Sequence, residues 1–119
     1  MQTTLKSIVT FEGIGLHTGR PATLVLRPAS ANTGIVFRRV DVDAADNTLP
    51  ALWDHVIVSP LNTRLTNAEG LTVSTIEHLM AALSGTGVHN VVIDIDGPEV
   101  PIMDGSSAAF VRGIVEAGL

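Results

Sequence analysis

Cysteine is missing from this sequence altogether, which excludes a disulfide framework and any thiolate metal site. Tyrosine is missing too. Three phenylalanines and one tryptophan are the whole aromatic complement, so the core has to be built from aliphatic side chains. Basic residues are scarce: seven Lys and Arg, dispersed singly apart from Arg38 and Arg39, leave a net charge of −5. Nucleic-acid binders rely on a concentrated basic face, and that class is set aside. No apolar run approaches the ~20 residues of a membrane span. The opening MQTTLKSIVTFEG has neither the apolar run nor the small-residue cleavage site of a secretory signal. Together these absences lead to the expectation of a soluble cytoplasmic protein.

What is present is the composition of a folded globular chain, 45% hydrophobic and 16% charged, outside the disordered range. A length of 119 residues suits one core, and a single domain over 1–119 is expected. The first two-thirds reads as strands. LKSIVTFEGIGL is apolar at Leu5, Ile8, Val9, Phe11 and Ile14, then breaks at HTGRP. ATLVLRP alternates, with Ala22, Leu24 and Leu26 on one face and Thr23, Val25 and Arg27 on the other. GIVFRRV follows as a third strand, DVDAADNTLPA (41–51) as a polar surface loop, and LWDHVIVS, NTRLT and LTVS as further strands, the last two separated by an NAEG turn. A helix over VSTIEHLMAAL, a GTGVHN turn, a buried VVIDID strand, a two-proline loop and a second helix over SSAAFVRGIVEAG complete the chain. In that last helix Phe110, Val111, Ile114 and Val115 form a stripe, and Gly118 takes the C-terminal cap position. This order predicts an α+β fold: a two-layer sandwich of a mostly antiparallel sheet with two helices packed on one face.

Glu77 and His78 stand side by side at the start of the first helix. Ser74-Thr75-Ile76-Glu77 matches a capping box, with Ser74 as N-cap and Glu77 reaching back to its N–H. A carboxylate there also suits the positive end of the helix dipole. His78 is harder to assign to structure. Ile76, Leu79, Met80 and Leu83 share one helical face, and the opposite face carries His78 with Ala81, Ala82 and Ser84 rather than Lys, Glu or Gln. Such a face is suited to close approach by a partner. Chemically, a helix N-terminus favours the neutral imidazole that metals bind, and a neighbouring carboxylate can act as the base toward water. One histidine is not a site, however, because catalytic zinc takes three protein ligands. His17, His55 and His89 lack a second His or Asp at helical ligand spacing. Asp104 of the MDGS segment has two readings, a cap for the following helix through Ser106 or a support for the site.

Taken together, GIGLHTGRPATLVLRPASANTGIVFRR, VSTIEHLMAAL and PEVPIMDGSSAAFV resemble the first domain of the UDP-3-O-acyl-N-acetylglucosamine deacetylases, zinc amidases of lipid A synthesis in Gram-negative bacteria. The blocks stand in family order and spacing and cover essentially the whole chain. The resemblance implies two similar α+β domains facing each other across an active site, with this sequence as the first and the second as the missing partner. It further implies Glu77 as the base, His78 as one of three zinc (Zn2+) ligands, and Leu61 and Asn62 as contacts to the substrate UDP-3-O-acyl-N-acetylglucosamine. Many members carry cysteine where Asn62 stands, so the chemistry of that contact differs here. The family's other ligands lie in an H-x-x-x-D motif of the second domain, followed by a histidine acid, and no H-x-x-x-D occurs in this sequence. The expectation is a chain that supplies the base and one ligand, with an incomplete zinc site and negligible turnover alone. A non-catalytic stand-alone domain and one half of a split enzyme are the alternatives. The uncovered face at His78, Ala81 and Ala82 is expected to favour self-association.

Overall fold

A computed structural model gives the architecture, describing residues 2–43, 47–52, 55–58, 63–68 and 70–119. The strands are β1 (Val9–Ile14), β2 (Pro21–Pro28), β3 (Ile35–Arg39), β4 (Thr48–Pro50), β5 (Val56–Val58), β6 (Thr63–Thr66), β7 (Thr72–Ser74) and β8 (Val91–Ile95). Helix α1 (Glu77–Thr86) lies between β7 and β8, and α2 (Ala108–Ala117) follows β8. Five strands form a sheet in the order β1-β2-β8-β3-β4, and β5-β6-β7 form a second, three-stranded sheet. Among the described strands the pairings are antiparallel except β3 with β8, and an isolated parallel bridge joins Ser74 to Glu99. The expected α+β class and mostly antiparallel sheet are therefore present. The second sheet was not anticipated, because short strands separated by turns do not announce which neighbours they pair with.

Alternation fixes which side of the large sheet is dry. The register sets Phe11 opposite Leu24 and Leu24 opposite Ile95. A second row runs Leu26, Ile93, Phe37, Leu49 across four strands. All these residues are buried, in one cluster with Leu79, Leu83, Phe110 and Ile114 of the two helices. Each such aliphatic side chain contributes about 1.5–3 kcal/mol by leaving water. On the other face Asp94 lies between Arg27 and Arg38, at 2.7 and 2.6 Å. Burial alone raises the Asp94 carboxyl, but the hydrogen bonds and charges of the two arginines outweigh it and hold it below the ordinary value.

Three sequence expectations require correction. The 41–51 segment is not all loop, since Thr48–Pro50 pairs with β3 and Leu49 is fully buried. Pro50 is tolerated because β4 is the edge strand. The α2 stripe is narrower than predicted: Phe110 and Ile114 are buried while Val115 is 65% exposed. Finally, the turn expected over GTGVHN begins later, because α1 runs on through Gly85 and Thr86 and ends in a Schellman motif, with Gly87 left-handed (φ 83°) and the Val88 N–H reaching the Leu83 carbonyl at 2.9 Å. Gly118 does cap α2, its N–H bonding to the Ile114 carbonyl.

Candidate active site

Glu77 opens α1, and its Oε2 accepts a hydrogen bond from the Thr63 backbone N–H at 3.2 Å. The Thr63 carbonyl in turn accepts from the Thr75 N–H at 2.8 Å. The first residue of β6 thus holds the helix start from both of its backbone groups.

The capping box does not form. Ser74 is the last residue of β7, and its N–H is taken by the Pro98 carbonyl at 2.8 Å, while its own carbonyl accepts from Val100. A strand residue committed to a bridge with Glu99 cannot also serve as N-cap. The N-cap position falls to Ile76, without a side-chain hydrogen bond. Glu77 remains in the first turn, where the helix dipole favours its charge.

The chain turns from β7 into α1 through Thr75, which is buried and has φ 61°. A β-branched residue in the left-handed region costs on the order of 1–3 kcal/mol, so its surroundings must over-determine it. They do: Thr75 Oγ1 donates to Glu99 Oε2 at 2.7 Å. The Glu99 side chain, 2% exposed, also accepts from the His17 N–H at 3.1 Å and the Thr18 N–H at 2.9 Å. Burial pushes the Glu99 carboxyl up, yet these hydrogen bonds outweigh it and hold it below its ordinary value. Sequence reasoning missed Glu99. Its only signal was a carboxylate set between Pro98 and Pro101 in the otherwise apolar run PEVPIM.

His78 is half-buried on the flank of α1 next to Glu77. Ala81 and Ser84 are exposed as expected, but Ala82 is fully buried beside Leu79 and Leu83. At 100° per residue Ala82 lies between His78 and the core, so the small-residue face is narrower than predicted. The remaining histidines are structural or peripheral. His89 Nδ1 accepts from the Thr3 N–H at 3.0 Å, the His17 side chain is on an exposed residue, and His55 precedes β5 rather than alternating within it. Asp104 is exposed and accepts from the Ser106 N–H and hydroxyl at 3.1 and 2.9 Å. The Ser106 hydroxyl accepts from Ala108, the first residue of α2, in line with the capping reading. Leu61 and Asn62 lie outside the described residues.

The arrangement presents one carboxylate and one imidazole from consecutive residues, with the carboxylate fixed by a backbone donor. Among the described residues, no three His, Cys, Asp or Glu side chains converge to hold a metal. No helix among them is long and apolar enough to cross a membrane.

The sequence profile of the family described as LpxC, UDP-3-O-acyl N-acetylglycosamine deacetylase, matches residues 2–119. The curated UDP-3-O-acyl-N-acetylglucosamine deacetylase of Aliivibrio fischeri is 52% identical over 118 residues, covering 99% of this chain and 38% of its own. That of Geobacter sp. strain M21 is 55% identical with the same coverage, and that of Photobacterium profundum 50%. The chain spans about two-fifths of the length of these relatives, 38%. With a profile matched over all but its first residue, the chain belongs to the UDP-3-O-acyl N-acetylglycosamine deacetylase family.

Proposed function

We propose that this chain contributes the base, Glu77, and one metal ligand, His78, to hydrolysis of the N-acetyl group of UDP-3-O-(3-hydroxyacyl)-N-acetylglucosamine, a cytoplasmic step of lipid A biosynthesis. The observation that carries this reading is the placement of Glu77 and His78 on the first turn of α1, with the Glu77 carboxylate held by Thr63. Relatives at about half identity bear the deacetylase name. In the reaction the oxygen of a water adds to the acetamide carbon, the C–N bond breaks, and acetate and a free amine leave. Glu77 takes the water's proton. The proton for the amine comes from a group that the described residues do not supply.

Zinc is the metal this reading names. An imidazole beside a carboxylate suits its donor chemistry, but His78 is a single ligand and a catalytic zinc takes three from the protein. On this reading the described residues supply one ligand only, and no three metal-ligating side chains converge among them. When bound, the ion supplies Lewis-acid polarisation of the amide carbonyl and acidifies water. Leu61 and Asn62 complete the proposal as substrate contacts. The second domain of the relatives is the proposed partner. Self-association also belongs to the proposal, through the exposed row of Ala81, Ser84 and Gly85 on α1.

The test joins this chain to the part of the Aliivibrio fischeri relative that it does not match, and measures acetate release with zinc. The chimera is expected to turn over and the chain alone to show negligible release. Glu77→Gln is expected to lower kcat by on the order of 10²–10⁴, and His78→Ala to lower the zinc content of the purified chimera. A Glu77→Gln chimera at full rate overturns the assignment of the base, and family-like turnover by the chain alone overturns the incomplete site.

A further inference from the structure

The buried carboxylate of Glu99 touches two segments that are far apart in sequence. One is the loop 15–19, whose His17 and Thr18 N–H groups it accepts at 3.1 and 2.9 Å. Close approach is required there, because a Cβ on Gly15 would overlap Glu99 Oε1 and Thr18 Oγ1. The other is the β7–α1 turn, which it reaches through the Thr75 hydroxyl at 2.7 Å. The backbone on both sides of Glu99 holds the same turn, since the Pro98 carbonyl and the Val100 N–H bracket Ser74.

We infer that Glu99 is a positioning residue for the Glu77–His78 pair: by holding Thr75 left-handed, it sets the direction in which α1 begins. The inference rests on the function proposed above for that pair. The direction matters because Thr75 is where the chain changes course. Its φ of 61° is a conformation that a β-branched residue abandons when nothing fixes it. Two residues later the Glu77 carboxylate must meet the Thr63 N–H at 3.2 Å. If Thr75 relaxes toward negative φ, the first turn of α1 rotates, Glu77 loses Thr63, and His78 moves with it. A carboxylate is suited to this task because it only accepts, and the groups around it are N–H and O–H donors from both segments. Glutamine at 99 keeps the shape and can still satisfy both segments, its oxygen accepting from the loop and its amide donating to the Thr75 hydroxyl, whereas alanine at 99 removes every acceptor at once.

Amide hydrogen exchange in the full chain separates positioning from bulk stabilisation. The Thr63 amide reports the Glu77 hydrogen bond, and the amides of β8 report global opening. Glu99→Ala is expected to speed Thr63 exchange by at least about tenfold beyond any change in β8. Adding Thr75→Gly is expected to restore part of the Thr63 protection, because glycine adopts φ near +60° without the steric cost that the contact to Glu99 offsets for Thr75. If Glu99→Ala does not fold, Thr75→Val removes only the hydroxyl end of the contact and serves in the same comparison. Thr63 and β8 accelerating together, no change at Thr63, or failure of Thr75→Gly to rescue would each overturn the inference. Exchange needs neither metal nor substrate. An inactive wild-type chimera therefore overturns the deacetylase reading and leaves the role of Glu99 to be decided at Thr63.

Discussion

Two carboxylates, Glu99 and Asp94, each tie separate segments together, and both make the fold sensitive to acid. Glu99 and Asp94 are held below their ordinary values of 4.5 and 3.8. Below these values the unfolded chain takes up protons that the folded chain still refuses, so the unfolded state binds more protons and stability falls with pH. The contribution is fully present above about pH 5 and is lost as pH falls through the folded values. Urea midpoints measured across this range should fall for the wild type and fall less steeply for Asp94→Asn and Glu99→Gln, both weaker at neutral pH. Unaltered slopes in both variants would remove these carboxylates from the account. At this scale the sequence was legible where chemistry is local. Glu77 and His78 are consecutive residues on the first turn of α1, and Asp104 bonds two residues away at Ser106. It was opaque where partners are distant: Thr63 for Glu77 is 14 residues off, and Thr18 for Glu99 is 81.

At the scale of elements, α2 shows how one missing side chain sets a packing distance. Phe11 of β1 and Phe110 of α2 meet edge to face at 5.0 Å. A Cβ on Gly113 would lie 2.5 Å from Phe11 Cζ and 2.7 Å from Cε1. Gly113→Ala gains up to about 1 kcal/mol of helix propensity, yet overpacking against a ring typically costs about 1–3 kcal/mol. The expected net result is destabilisation, read as a lower urea midpoint at an unchanged m-value, and a stabilised variant would show that α2 slides freely on β1. The sequence marked α2 by its apolar period but gave the stripe one residue too many. Val115 has the period and not the partner. The capping box failed for a related reason: the motif was present, but a long-range bridge from Glu99 claimed Ser74 first. The alternating faces of β2 and the cap at Gly118 were legible because they depend on their own residues alone.

For the molecule as a whole, the exposed row of α1 and the 65% exposed Val115 of α2 leave modestly apolar surface on the helical layer. Sedimentation of the chain is expected to show concentration-dependent, weak association, and a strict monomer at high concentration would count against it. Because Ala82 is buried, the patch is smaller than the sequence implied. The two-layer architecture was readable from the order of elements. The division into two sheets was not, since it depends on β5, β6 and β7 pairing among themselves while Arg39 bonds the Thr72 carbonyl across the gap at 3.1 Å.

The strand order has a consequence for synthesis. β2 and β3 are made early, yet they never pair with each other, because β8 is inserted between them. A nascent chain that has not yet produced Val91–Ile95 carries two half-sheets, each with an inner edge of unpaired N–H and C=O groups. Those edges would be joined only after α1 has emerged, so the vulnerable interval in the life of this fold is translational and ends with its most buried strand.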